Sequence, residues 1–557
     1  MATIPQIIPK PTRKPIDPWV VGKRAGWKVI DASTLTADRT VTFDVAIIGT
    51  GAGGGITAEM LAAAGLKVVL IEEGPLKSSS DFNMKESEAY PQMYQENLAR
   101  RTLDGGVGVL QGRTVGGGTT VNWATSFRTS PQVLEHWQRI YGLTEYTQAK
   151  MAPWFAAVEK RLSIRPWGGE INGNNAILST GPSRLGLSWN TISPNVKGCA
   201  ALGYCGLGCP INAKMSMLVT TLPVALTLGA TLYTRLRAQT YTFNTAKTAI
   251  TGIVCDALDP AGLKPSGRKV TIKARHYVQA TSAINGPALL MRSGAPDPHG
   301  TLGKRTFLHP SASVGGLYER DIAAHAGLPQ SIYSDHYLDN VPLTGTPGWK
   351  LEVAPLHPVL VAGGPTYFGE QHATLMKNFN KYGVTISFVR DGFNADSVGG
   401  TVQLRADGSP VLDYPLSASV LESIRQSIKS QGAVHFAAGA SRVFIGHIDA
   451  ATQGFTDNAS FQAAADALSM VSGRVRLNSA HQMGGCGMSA DPTKGVVNPN
   501  GRHHQVSNLS VHDASVFPTS LGLNPQETIF AMSARNTAKL ALDIFRLRNC
   551  ELTAEPD

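Results

Sequence analysis

Cysteine is scarce in this chain, six in 557 residues. That excludes a disulfide scaffold, which needs far denser pairing. Aromatic residues make up 7% and charged residues 16%. No block of Lys and Arg interleaves with aromatics, which argues against nucleic acid as a partner. Long hydrophobic runs are also missing. The most apolar stretch, residues 218–233, is broken by Thr, Pro and Gly and falls short of the roughly 20 residues a spanning helix needs. The first eleven residues, MATIPQIIPKP, hold no apolar leader core, small-residue cleavage site or twin arginine. The expectation is a chain without a transmembrane segment, cytoplasmic by lack of a signal, or carried to the periplasm or a membrane by a partner.

What is abundant is glycine, with 58 residues, the residue of sharp turns and close backbone approach. The length favours two or three domains. The formal net charge is +10 and the pI near 9.2, which reads as an ordinary solvated basic surface, with attraction to an acidic redox partner or an anionic membrane face as the sharper alternative. Residues 1–40, rich in Pro, Lys and Arg, read as an arm lying over the surface. The pattern changes at Phe43. Residues 43–48 form a short apolar run, as for a buried parallel strand. Residues 56–64 read as a helix and 67–71 as a second strand ending at Glu72. Helical character returns at 421–438 and at 528–548, where Ile529, Met532, Leu540 and Ile544 stand near helical spacing.

Between the first strand and helix lies Gly49-Thr50-Gly51-Ala52-Gly53-Gly54. Gly49, Gly51 and Gly54 satisfy the spacing G-x-G-x-x-G. The first glycine permits a tight turn, the second lets a pyrophosphate reach the backbone, and the third lets helix and strand pack closely. The helix N-terminus then offers unpaired N–H groups to the phosphates. Glu72, 23 residues after Gly49, is placed to bind a ribose hydroxyl. This unit calls for a dinucleotide without choosing FAD over NAD.

Other segments make that choice by resemblance. Gly112-Arg113-Thr114-Val115-Gly116-Gly117-Gly118-Thr119-Thr120-Val121-Asn122 resembles the second glycine loop of the glucose-methanol-choline (GMC) oxidoreductases, which bind FAD. Ala280-Thr281-Ser282-Ala283-Ile284-Asn285-Gly286-Pro287 is similar to their strand-to-helix signature, with Thr281-Ser282 bulkier than usual. Gly303-Lys304-Arg305-Thr306-Phe307-Leu308-His309-Pro310 resembles the segment leaving their FAD domain. Ser479-Ala480-His481-Gln482-Met483-Gly484, the block from Val511 to Pro518, and Asn524-Pro525 resemble their C-terminal motifs. The resemblance implies that Gly49, Gly51 and Gly54 hold the pyrophosphate and Glu72 the adenosine ribose. Gly117, Gly118 and Asn122 would line the ribityl and ring region, with Asp513 and Ala514 approaching from the C-terminal side. His481 matches the catalytic histidine and Asn524 its partner.

That pair suits alcohol oxidation. The carbon gives a hydride to the flavin, and the hydroxyl must lose a proton. A histidine of unperturbed pKa about 6.5 serves as base near neutral pH, and an Asn amide can orient the same oxygen. There are 14 histidines. His309, His503, His504 and His512 are read as structural.

Cys199, Cys205 and Cys209 crowd into eleven residues with spacing C-x5-C-x3-C. The segment resembles one in catalytic subunits of bacterial FAD-dependent glucose dehydrogenases, which implies a [3Fe-4S] cluster relaying electrons to a cytochrome or quinone beside a small partner subunit. It is also similar to a cysteine-rich segment of long-chain alcohol oxidases. A zinc or disulfide clip and buried free thiols are the alternatives, and those leave room for an oxidase using O₂. A lyase or decarboxylase that keeps FAD is a further rival. Cys486 is read as packing near the active site, Cys255 and Cys550 as inert.

The expected fold is α/β (α+β overall), a Rossmann-type FAD-binding domain with a discontinuous, sheet-containing substrate domain. The FAD domain is expected from 41–130, 215–310 and 475–557, and the substrate domain from 131–214 and 311–474. The substrate is a small-molecule alcohol, and the middle of the chain carries no readable code for which one.

Overall fold

The computed structural model describes residues 16–363 and 368–553. An eight-stranded sheet forms the first layer. Its order is Lys28–Asp31, Thr231–Thr234, Val68–Ile71, Arg39–Ile48, Pro265–Gln279, Ile250–Leu258 and Leu236–Phe243, with Leu509–Val511 pairing Pro265–Gln279 as a branch. The pairs from Lys28–Asp31 to Pro265–Gln279 are parallel, and the last two close an antiparallel meander. The apolar runs read at 43–48 and 67–71 sit in its centre, with 45–48 and 68–71 buried. Such strands are apolar on both faces because helices cover both.

The helix after the first glycine loop is Ala52–Ala63. It packs against the C-terminal helix Gln526–Phe545. Both enclose one hydrophobic core with the first sheet. A second core surrounds a six-stranded sheet ordered Trp349–Val353, Tyr382–Val389, Ser311–Leu317, Leu477–Ser479 and Val107–Val109, with Arg442–Ile445 also pairing Ser311–Leu317. The long helix Ala418–Ala437 lies on it.

Three differences from the expected layout have clear causes. Residues 1–15 of the expected arm lie outside the described residues. The rest of it is built into the fold rather than draped over it. Asp17 caps the helix Pro18–Arg24, Trp19 is 2% exposed with its indole N–H donating to Leu218 O at 2.9 Å, and Lys28–Asp31 forms the sheet edge. Second, the helices Pro131–Tyr141 and Gln148–Arg161 join the core of the first sheet, not the second. A buried two-bond pair from Arg161 to Glu59, at 3.0 and 2.9 Å, fixes them there. Third, Val107–Val109 and Leu477–Ser479 pair with each other in the second sheet, so the chain crosses between sheets inside segments expected to be wholly on the first.

Candidate active site

The carboxyl ends of the central parallel strands converge on the first glycine loop. Gly49 N–H donates to Ile71 O at 2.8 Å and Ala280 N–H to Ile48 O at 2.8 Å. This is where open α/β sheets hold ligands. Gly49 has φ +98°, and a Cβ there would stand 2.2 Å from Ala280 O. A Cβ on Gly54 would stand 2.1 Å from Gly49 O, the close helix–strand packing expected of the third glycine. Gly51 is different. It caps the helix without a side chain, and its nearest neighbour would be Gly117 Cα at 3.9 Å. Gly118 faces open space. The two glycine loops therefore meet and leave a cradle beside the helix N-terminus.

That cradle opens into a cavity of about 1020 Å³. Gly49, Gly51, Glu72, Gly117, Gly118, Asn122, Asp513, Ala514, His481 and Asn524 all line it. Gly54 does not, because its place is behind the loop. Glu72 accepts from Thr50 Oγ1 at 2.5 Å, Thr50 N at 3.2 Å and Gly74 N at 2.8 Å, and burial pushes its carboxyl up. The adjacent Glu73 also lines the cavity. Burial opposes its ionisation, yet the guanidiniums of Arg237 and Arg113 hold its pKa at about 2. Asp513 accepts the N–H groups of Ser282 and Ser515, each at 2.8 Å, which braces the bulky Thr281-Ser282 turn, where Ser282 has φ +77°.

At the other end of the cavity His481 follows strand Leu477–Ser479 and precedes Gln482–Gly484. The latter pairs antiparallel with Thr306–Leu308, which brings His309 alongside. The two Nδ1 atoms are 3.0 Å apart. Phe388 flanks His481 with ring centroids 4.9 Å apart. Burial depresses the His481 pKa to about 3, so the ring is neutral at ordinary pH. Asn524 stands just before the C-terminal helix. Its Nδ2 donates to Glu352 Oε2 at 3.2 Å, and its Oδ1 is buried without a partner. Burial raises the Glu352 pKa to about 7. Asn122 Nδ2 donates to Gln526 Oε1 at 2.7 Å, so the second glycine loop is tied to the helix behind Asn524.

Three residues at this site escaped the sequence reading. His309 precedes a proline in an exit loop, a setting that marks a histidine as structural. Glu352 sits in an ordinary strand with no local signal. Gln526 follows Asn524-Pro525, and only the fold shows that it reaches Asn122.

The sequence matches the GMC oxidoreductase family in two blocks, its N-terminal part over residues 90–311 and its C-terminal part over 396–533. The chain belongs to the GMC oxidoreductase family. Among relatives, a long-chain-alcohol oxidase of Arabidopsis thaliana is 27% identical over 87% of this chain and 65% of its own length. The chain thus spans a little under two thirds of that relative. An uncharacterized GMC-type oxidoreductase of Mycobacterium tuberculosis is 29% identical over 88% of this chain and 74% of its own. The crystal structure of a formate oxidase matches with TM-score 0.66 and 15% identity, covering 92% of this chain and all of that one. Pyridoxine 4-oxidase from Mesorbium loti matches with TM-score 0.65 and 15% identity, over 89% of this chain and 98% of that one. These two likenesses show the fold.

The GMC cofactor is FAD, and the residues present fit it. The Gly51–Gly118 cradle has room for a pyrophosphate against free helix amides, and the cavity is continuous from there to His481. An iron–sulfur cluster is not supported. Among the described residues no group of three Cys, His, Asp or Glu side chains is arranged to hold a metal ion. All three cysteines are free, and burial pushes the Cys205 thiol up to about 12. The segment's visible role is packing. Lys214 is 2% exposed and donates to Thr120 O, Asn122 O and Cys205 O at 2.6, 2.9 and 2.8 Å. It staples the cysteine turn to the second glycine loop. Among the described residues no helix is long and apolar enough to cross a membrane.

Proposed function

We propose that this GMC enzyme oxidises an alcohol to an aldehyde or ketone, with His481 and Asn524 gripping the hydroxyl. The observation that carries this is the unpartnered Asn524 Oδ1 on the wall that also bears neutral His481. A hydroxyl brings one donor and two lone pairs, which match an amide oxygen and an imidazole. FAD, when bound, supplies the hydride acceptor for the carbinol hydrogen. Gly51, Gly117 and Gly118 would hold it, with Glu72 at its ribose. The hydroxyl then turns its one hydrogen from Asn524 to His481, which takes the proton, a contribution of roughly 10²- to 10⁴-fold. The overall balance is two electrons and one hydrogen leaving the carbon as hydride, one proton leaving the oxygen, and a carbonyl released.

The substrate we propose is a long-chain or otherwise apolar alcohol. Leu356, Leu360, Val361, Leu375, Ile386 and Phe388 line the cavity beyond His481, and the plant relative is named a long-chain-alcohol oxidase. We propose that the electrons pass from the flavin straight to the acceptor. Dioxygen is the acceptor we favour over a cytochrome or quinone, because several relatives are named oxidases. The test is anaerobic mixing of holoenzyme with alkanols, sterols and sugars. Bleaching of the flavin by apolar alcohols, followed by rapid recovery on admitting air, is the expected result. Bleaching by sugars alone would sink the substrate class, and no bleaching at all would sink the reaction.

A further inference from the structure

His309 is the buried ring that alcohol oxidation by itself does not use. It is fully buried and has a partner at each nitrogen. The backbone N–H of Gly522 donates to its Nε2 at 2.9 Å. Its Nδ1 lies 3.0 Å from Nδ1 of His481.

A backbone N–H only donates, so His309 Nε2 is an unprotonated acceptor. A neutral imidazole carries one hydrogen, which places that of His309 on Nδ1. It points at His481 Nδ1, which must accept it. The single hydrogen of His481 is then on Nε2, for which no hydrogen bond is found among the described residues, in a ring that lines the cavity.

We propose that His309 is a positioning residue that fixes the tautomer of His481, so that the resting enzyme offers the substrate oxygen an N–H donor. This rests on His481 standing at that oxygen. A donor there suits the negative charge that gathers on the oxygen as the hydroxyl proton is lost. It also puts a condition on proton removal. For Nε2 to accept the hydroxyl proton, the His481 hydrogen must sit on Nδ1, with His309 Nδ1 accepting it. The His309 hydrogen must then sit on Nε2, facing the Gly522 N–H. Two donors would oppose each other, so the proton transfer costs the Gly522 contact. The same contact ties the turn that carries Asn524 to His481, so one buried ring sets both halves of the catalytic pair.

The experiment is long-range ¹⁵N–¹H spectroscopy of holoenzyme labelled at histidine nitrogen, with the His481 signals identified by their loss in His481→Gln. The parent should show His481 wholly as the Nε2–H tautomer. His309→Gln should keep it, since a Gln oxygen can accept from Gly522 while its amide donates to His481 Nδ1. His309→Leu can do neither, and a measurable share of Nδ1–H should appear. Anaerobic flavin reduction should then differ at least tenfold between the two variants, because only His309→Leu shifts the tautomer. An Nδ1–H tautomer in the parent overturns the proposal without any variant. An unchanged tautomer in His309→Leu, or equal kinetic losses in Gln and Leu, also overturns it. The spectra need no substrate. A parent with the expected tautomer that no alcohol bleaches therefore fails the reaction and leaves the tautomer standing.

Discussion

Asn524 donates its side-chain amide to Glu352 at 3.2 Å, joining the turn before the C-terminal helix to an edge strand of the other sheet. The Glu352 carboxyl is wholly buried, its Oε1 has no partner, and burial lifts its pKa to about 7. A folded-state pKa above the ordinary carboxyl value gives stability that is present in acid and lost as pH rises through about 7. Glu352→Gln should therefore match the parent near pH 4.5 and gain on it up to about pH 7. The full difference is on the order of 3 kcal/mol, read as a growing gap in Tm. A gap that stays constant or narrows with rising pH would refute this.

The glycines of the first loop should separate folding from cofactor binding. A Cβ on Gly51 meets no protein atom closer than 3.9 Å, but it stands in the cradle. Gly51→Ala should fold with near-parent circular dichroism and lose FAD affinity at least tenfold, as fluorescence titration would show. Gly54→Ala drives a Cβ to 2.1 Å from Gly49 O and should fail to give soluble folded protein. Parent-like FAD binding in Gly51→Ala would remove the pyrophosphate from this loop.

His481→Ala should keep FAD and slow flavin reduction by roughly two to four decades. Stopped-flow single turnovers isolate that step from product release. Because burial places the His481 pKa near 3, the parent's reduction rate should show no acid limb from this residue between pH 5 and 8. Unchanged single turnovers in the alanine variant would clear His481 of the chemistry.

The cysteines should be dispensable for electron flow. Cys199→Ser and Cys209→Ser should leave flavin reduction within threefold of the parent. Anaerobically purified protein should carry flavin with far less than one iron per chain. Stoichiometric iron and acid-labile sulfide would restore the relay. Cys205→Ser is expected to cost stability first, because Cys205 is buried under Lys214.

Much of this protein was legible from the chain alone. Local rules determined the glycine turn, the two flanking strands and the C-terminal helix, because each depends on neighbours only a few residues away. His481 and Asn524 stood out through motif context, and both line the same large cavity. The fate of Cys199, Cys205 and Cys209 was not legible, since spacing alone cannot say what the thiols hold. Nor was the docking of residues 18–31, which is settled by the distant Leu218 and Thr231–Thr234. Most of all, only tertiary structure could pair His309 with His481, 172 residues apart. Strand pairing brings the rings together, and an amide at Gly522 decides which nitrogen carries the hydrogen. Sequence set which groups are present, while the fold set their partners, and an imidazole's role depends on its partners.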